Sequence, residues 1–174
     1  SKLVVVKRIR PELASDPDFV RMFINEARIA ASLSHGAIAQ VFDFGEIDGE
    51  YFLTMEYVDG PSLSQLLKRV ATRGLAALPL PYALHIAARI CEGLHYAHTG
   101  TAADGTPLRF IHRDVSPQNV MVAFEGEVKV IDFGIAKSAT GAQELTQVGK
   151  WRGKAQYAAP EQIAVTLEQL TGVV

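Results

Sequence analysis

Nothing in this 174-residue chain narrows the choice of fold as much as one segment and its sequel. The segment is Ile111-His112-Arg113-Asp114-Val115-Ser116-Pro117-Gln118-Asn119. The sequel is Val130-Ile131-Asp132-Phe133-Gly134. Between them, Val120 to Ala123 and Val128 to Ile131 are β-branched runs on either side of Glu125-Gly126, which reads as a hairpin. A hairpin there gathers Asp114, Asn119 and Asp132 into one neighbourhood. Their chemistry is complementary. One carboxylate can orient an attacking hydroxyl, while an amide oxygen and a second carboxylate suit Mg²⁺, which takes hard oxygen donors. That set is what transfer of a nucleotide's terminal phosphate requires.

Composition removes other classes. The chain is 48% hydrophobic and 21% charged, ordinary for a globular protein with a real core. Its formal charge of −2 argues against a nucleic-acid or polybasic membrane surface. The single cysteine, Cys91, has no internal disulfide partner. It falls on an apolar helical stretch and reads as a core-packing residue. A reducing, cytoplasmic setting is expected. The most apolar region, Leu78 to Leu94, is interrupted by Pro79, Pro81, His85 and Arg89, so it does not read as membrane-spanning.

The remaining elements follow from local signals. Leu3-Val4-Val5-Val6-Lys7 predicts a buried strand. Ser15-Asp16-Pro17 starts a helix, with Asp16 as N-cap and Pro17 at its first position. Val20, Phe23, Ile24, Ala27, Ala31 and Leu33 continue it at helical spacing until Ser34-His35-Gly36. Ile38 to Gly45 and Tyr51 to Met55 predict two strands joined at Asp48-Gly49. Residues 55–61 read as a linker. Ser62 to Val70 predicts a short helix. Pro81 to Thr99 predicts a long one, with Ala83, Leu84, Ala87, Ile90, Cys91 and Leu94 on one side. Thr101 to Pro107 reads as a surface loop. The boundary near Val58 to Gly60 separates a sheet-rich part, 1–58, from a helix-rich part, 59–174.

Taken in order, these residues resemble the catalytic core of the eukaryotic-type (Hanks-type) Ser/Thr protein kinases, and the wording of the motifs suggests a bacterial member. The resemblance runs from Lys7 to Glu161. It implies an α+β, two-lobe fold with a small antiparallel sheet and one helix, then a mainly helical lobe. It implies ATP and Mg²⁺ as cofactors and a protein bearing Ser or Thr as partner. Neither nucleic acid nor membrane contact is implied for this segment, and a dimer mate or activating partner stays open. In such a kinase Lys7 would grip the ATP phosphates and pair with Glu26, nineteen positions on. Asp114 would act as catalytic base. Asn119 and Asp132 would hold Mg²⁺. Met55-Glu56-Tyr57-Val58 resembles the hinge, so Met55, Glu56 and Val58 become adenine-site candidates, together with Val5 and Met121. Pro117 favours Ser/Thr over Tyr specificity. Ala158-Ala159-Pro160-Glu161 resembles the end of the activation segment. Arg113 could pair with a phosphate there, on Thr146 first, then Thr140 or Ser138.

The chain also departs from the pattern. Asp43-Phe44-Gly45 repeats the downstream tripeptide, but no His-Arg-Asp precedes it, and it reads as a strand followed by a turn. No glycine-rich loop precedes Lys7, and residues 162–174 contain no aspartate. The expectation is a partial catalytic domain with exposed apolar surface and marginal stability. Val5 stands where alanine is usual. Ser116 stands where most members carry lysine, and Lys154 stands where most carry threonine. Lys154 would then supply the cation that Ser116 lacks, or else be a solvated loop residue. Two alternatives remain open: a non-catalytic kinase-like binding module, and a small-molecule phosphotransferase of related fold.

Overall fold

The computed structural model describes residues 2–101, 105–112, 114–133, 157, 158 and 160, the Glu26 side chain excepted. Strand β1 (Val4–Arg8) is followed by a single turn of helix, α1 (Pro11–Ala14), and by α2 (Pro17–Ser32). Strands β2 (Val41–Ile47) and β3 (Glu50–Glu56) come next, then helices α3 (Leu63–Thr72) and α4 (Leu80–Thr99). A turn of 3₁₀ helix at Pro117–Asn119 leads into β4 (Val120–Val122) and β5 (Val128–Val130).

Local chemistry explains most boundaries. The Asp16 carboxylate accepts from the backbone N–H of Asp18 and Phe19, at 2.9 and 3.3 Å, and Pro17 needs no donor at the first helical position. Asp48 and Gly49 both have positive φ, +52° and +80°, the combination that a two-residue hairpin turn matching strand twist demands. Helix α3 opens on a capping box. Ser62 accepts from Gln65 N–H while the Gln65 side chain accepts from Ser62 N–H.

The antiparallel sheet has the order β1-β3-β2, with Val5 opposite Met55 and Lys7 opposite Leu53. Helix α2 covers one face. Phe19, Phe23, Ala27 and Ala30 bury against Val41, Leu53 and Met55, each phenyl ring contributing about 2 kcal/mol. A second cluster joins Leu33 and Ile38 to Ala97, Val130 and Phe133. A third joins Ile86 to Val120 and Val128. The second cluster takes residues from both sides of position 58, so the two parts share a core at the place where they meet.

Three sequence expectations need correction. Strand β1 is not buried: it pairs with β3 alone among the described residues, and Leu3, Val4 and Val6 are 73, 40 and 56% exposed. Its β-branched run signals strand, not depth. On α4 the inward residues are Ile86, Gly93 and Ala97, with Ile90 and Leu94 half-buried, whereas Leu84 and Ala87 face outward. Cys91 is exposed and packs no core. Gly93 sets that rotation. A Cβ on it would come within 3.0 Å of the Ala37 carbonyl, so the helix docks there by its bare backbone.

Gly60 matters for the same reason. The segment before α3 runs along β4: Val122 N–H donates to Pro61 O and Phe124 N–H to Asp59 O, both at 2.9 Å. A Cβ at Gly60 would lie 2.0 Å from the Val122 carbonyl oxygen. Gly60→Ala is therefore expected to destabilise by at least about 2 kcal/mol, measured by urea unfolding, because backbone rather than a flexible side chain must yield.

Candidate active site

Strand β5 is the pivot of the site. Its residue Val130 donates to Ala37 O at 2.8 Å and accepts from Ala39 N–H at 3.0 Å, while β4 pairs along its other edge. The chain then turns at Asp132, whose φ of +59° lies in the left-handed region. That conformation costs an L-residue roughly 1 kcal/mol, and aspartate is among the side chains that adopt it most readily. The Asp132 carboxylate forms an ion pair with Nζ of Lys7 from β1. These side chains are 45 and 32% exposed, so the pair adds little to stability and both groups stay open to a ligand.

Asp114 is fixed by its neighbours in the loop before β4. The Asn119 amide nitrogen donates to the Asp114 carbonyl at 2.9 Å and to its carboxylate at 2.7 Å. Asp114 N–H donates to Nδ1 of His112 at 3.2 Å. Asn119 O in turn accepts from Ile131 N–H at 2.9 Å. His112 completes the circuit through Nε2, 3.0 Å from Ile131 O, one residue before Asp132. Loop and metal-side strand are thus joined by hydrogen bonds through one buried ring.

The roles of that ring are set by its partners. Nδ1 accepts and Nε2 donates, which is a neutral imidazole. Its ring packs 4.6 Å from Phe133, itself stacked on Phe110. Burial lowers the His112 pKa below the ordinary histidine value. The hydrogen bond to Ile131 and the charges of Asp114 and Asp132 oppose that shift without overcoming it.

Of the residues expected at the site, Lys7, Asp114, Asn119 and Asp132 come together. Met55 and Val58 are buried at the end of β3, and Val5 and Met121 pack half-buried against the same cluster. Glu56 differs from the rest. Its carboxylate turns to Lys129, and its N–H donates to Gln40 O at 2.8 Å. The Glu26 side chain, Arg113, Ser138, Thr140, Thr146, Lys154, Ala159 and Glu161 lie outside the described residues. The upstream Asp43 sits within β2 opposite Thr54, just after a register irregularity between Val41 and Asp43. An open depression lined by Ala14, α2 and Tyr51 lies away from this site.

Among the described residues, no three His, Cys, Asp or Glu side chains converge to cage a metal. The donors at hand are the Asp132 carboxylate and the Asn119 amide oxygen, the amide nitrogen being committed to Asp114. So sparse an oxygen set fits Mg²⁺, which keeps waters and shares phosphate oxygens. The sequence reading assigned no role to His112 or Lys129. A lysine inside Val128-Lys129-Val130 was the available signal, since a charge in a short buried strand needs a partner.

His112 gives a pH prediction. With a native pKa below the unfolded value near 6.5, its contribution is complete above that pH and is lost as pH falls from there toward the native pKa. Unfolding midpoints measured from pH 8 to 5 should drop more steeply for the parent than for His112→Phe. Parallel curves would contradict the assignment.

The family described as "Protein kinase domain" matches residues 1–171. The chain is 45% identical over 159 residues to "Tyrosine-protein kinase MasK" of Myxococcus xanthus, an alignment covering 91% of this chain and 24% of the relative. It is 41% identical over 164 residues to "Serine/threonine-protein kinase PknA" of Mycobacterium tuberculosis, covering 91 and 35%. A crystal structure of the M. tuberculosis PknI kinase domain superposes with a TM-score of 0.62 at 37% identity, over 76% of this chain and 48% of that one. The chain therefore spans about a quarter to a third of these curated relatives and about half of the solved domain.

Proposed function

This chain belongs to the protein kinase family, and from that premise we propose that its cleft binds Mg·ATP and directs the γ-phosphate to a Ser or Thr hydroxyl of a protein. The observation that carries the reading is the meeting of Lys7 and Asp132 beside the Asn119–Asp114 hydrogen bonds. In it, Lys7 binds phosphate oxygens and Glu26 orients Lys7. Asp132 and Asn119 hold the metal, whose charge offsets that of the phosphates. Asp114 orients the acceptor hydroxyl, and its carboxylate is aimed by the Asn119 amide before any substrate arrives, a preorganisation that favours transfer. The backbone from Glu56 to Val58 meets the adenine edge, with Met55 behind it and Val5 and Met121 against its faces.

The relatives carry both serine/threonine and tyrosine names. Pro117 in the loop after Asp114 supports the Ser/Thr assignment, and phosphoamino-acid analysis of a mixed peptide library decides it. The described residues contain no helix long and apolar enough to cross a membrane, and we place this segment in the cytoplasm, beside ATP and Mg²⁺. Lys154 remains the proposed cation opposite Ser116, whose buried hydroxyl has no hydrogen-bond partner among the described residues. That reading predicts a large turnover loss in Lys154→Ala, well beyond that of an exposed lysine such as Lys68→Ala. Unchanged turnover discards it.

The full-length protein carrying Asp132→Asn should lose Mg²⁺-dependent phosphorylation by at least about a hundredfold, and Asp114→Asn by a similar factor. Asp132→Asn should weaken metal-dependent nucleotide binding, whereas Asp114→Asn should leave it intact. Retained transfer in Asp132→Asn would remove the carboxylate from its assigned role.

A further inference from the structure

Lys129 is an unusual residue for the interior of a short strand. It is 8% exposed, flanked by the buried Val128 and Val130, and its amine lies 2.9 and 3.2 Å from the two carboxylate oxygens of Glu56. Glu127, at 3.9 Å and largely exposed, is a distant second partner. Glu56 is the last residue of β3, where the chain leaves the sheet. One of its oxygens also accepts from Gln40 N–H at 3.1 Å, and Glu56 N–H donates to Gln40 O at 2.8 Å. Gln40 is itself anchored: its side-chain amide donates to Ala31 O in the last turn of α2, at 3.3 Å, and to Val41 O, at 2.9 Å. A single carboxylate therefore ties together the end of α2, the exit from the sheet and the strand that leads to Asp132.

Burying a lysine needs a reason. Removing the ammonium from water is costly, and the pair with Glu56 offsets that cost without a clear surplus over an apolar pair of the same volume. Core stability alone would be served as well by a leucine or methionine. What an apolar pair could not supply is direction: two charge-assisted bonds fix where the Glu56 backbone stands relative to β5. The residues that follow Glu56 are those assigned to the adenine edge, and the residues that follow Lys129 lead to Asp132.

We propose that Lys129 and Glu56 are positioning residues that set the distance between the adenine-binding backbone at 56–58 and the phosphate-side pair Lys7 and Asp132, and so govern nucleotide affinity. The inference rests on the nucleotide reading above. It concerns binding, not the transfer step, because neither side chain faces the reacting groups.

The test uses the full-length protein. Lys129→Met keeps the stem and removes the charge. It should raise the dissociation constant for ADP, measured by calorimetry, about tenfold, and leave the KM for peptide unchanged. Hydrogen exchange at the amides of Tyr57 and Val58 should quicken. Glu56→Gln combined with Lys129→Met removes both charges, leaving no buried ion unpaired. It should recover the parent's unfolding midpoint while nucleotide affinity stays weak. That separation would not arise if the pair served only stability. Parental or tighter ADP binding by the double variant would overturn the inference. Asp132→Asn is the independent control: full Mg²⁺-dependent transfer there would overturn the kinase reading itself, whatever Lys129 does.

Discussion

The backbone of Val130 is held from two sides, and the rest of the site follows from that. Its hydrogen bonds to Ala37 and Ala39 join the segment after α2 to β5 as a parallel bridge, while β4 pairs along the opposite edge. Together with the cluster of Leu33, Ile38 and Phe133 and the Lys129–Glu56 pair, that bridge holds β1 with Lys7 against the loop with Asp114. With it, Lys7 and Asp132 meet although 125 positions separate them, and Phe133 is delivered to the cluster that holds Leu33 and Ile38. Backbone bonds suit this task better than side-chain charges. They are short, directional and insensitive to salt, whereas the Lys7–Asp132 pair is half-exposed and adds little cohesion.

Around this joint the polar groups divide by depth. The exposed pair faces the cleft, where a ligand can exchange for either partner. The buried groups form closed circuits: Asn119 to Asp114, Asp114 to His112, His112 to Ile131, and Ile131 back to Asn119. Each donor in the circuit meets an acceptor, which is what permits a histidine that is 3% exposed to remain neutral and in place. Ser116 breaks the rule. Its buried hydroxyl has no hydrogen-bond partner among the described residues, at the position where the family usually carries a charged side chain.

Elements with strong local chemistry were legible in the sequence. The Asp16-Pro17 start of α2, the Asp48-Gly49 turn and the β4–β5 hairpin are written in neighbouring residues, and so is the order of the site motifs. The facing of each element was less so. On α4 the apolar residues at helical spacing pointed to a stripe through Leu84 and Cys91. The true contact is made by Gly93 and Ala97, whose smallness lets the helix approach Ala37, and hydrophobicity does not register smallness. Val4 and Val6 likewise look buried by composition, but strand type says nothing about which strand lies at the edge. Ser62-x-x-Gln65 carries the capping-box signature in neighbouring residues as well. The lysine inside Val128-Lys129-Val130 signals that a partner is needed, but not which one, because Glu56 is 73 residues away.

The repeated Asp-Phe shows how little a short motif fixes by itself. Asp43 and Asp132 share the same following residue, and both lie near strands. Asp43 stays in the extended register of β2, opposite Thr54, and its carboxylate accepts from the next backbone N–H. Asp132 departs from β5 into the left-handed region, and its carboxylate reaches Lys7. The difference comes from what surrounds each phenylalanine. Phe133 is 3% exposed, pinned between His112 and Phe110, so the backbone before it must bend to keep the ring inside. Phe44 is half-buried on a sheet face and stays within its strand, opposite Leu53. Chemistry at Asp132 therefore depends on the aromatic packing behind it. The His-x-Asp that precedes the hairpin is informative because it supplies the ring against which that packing forms.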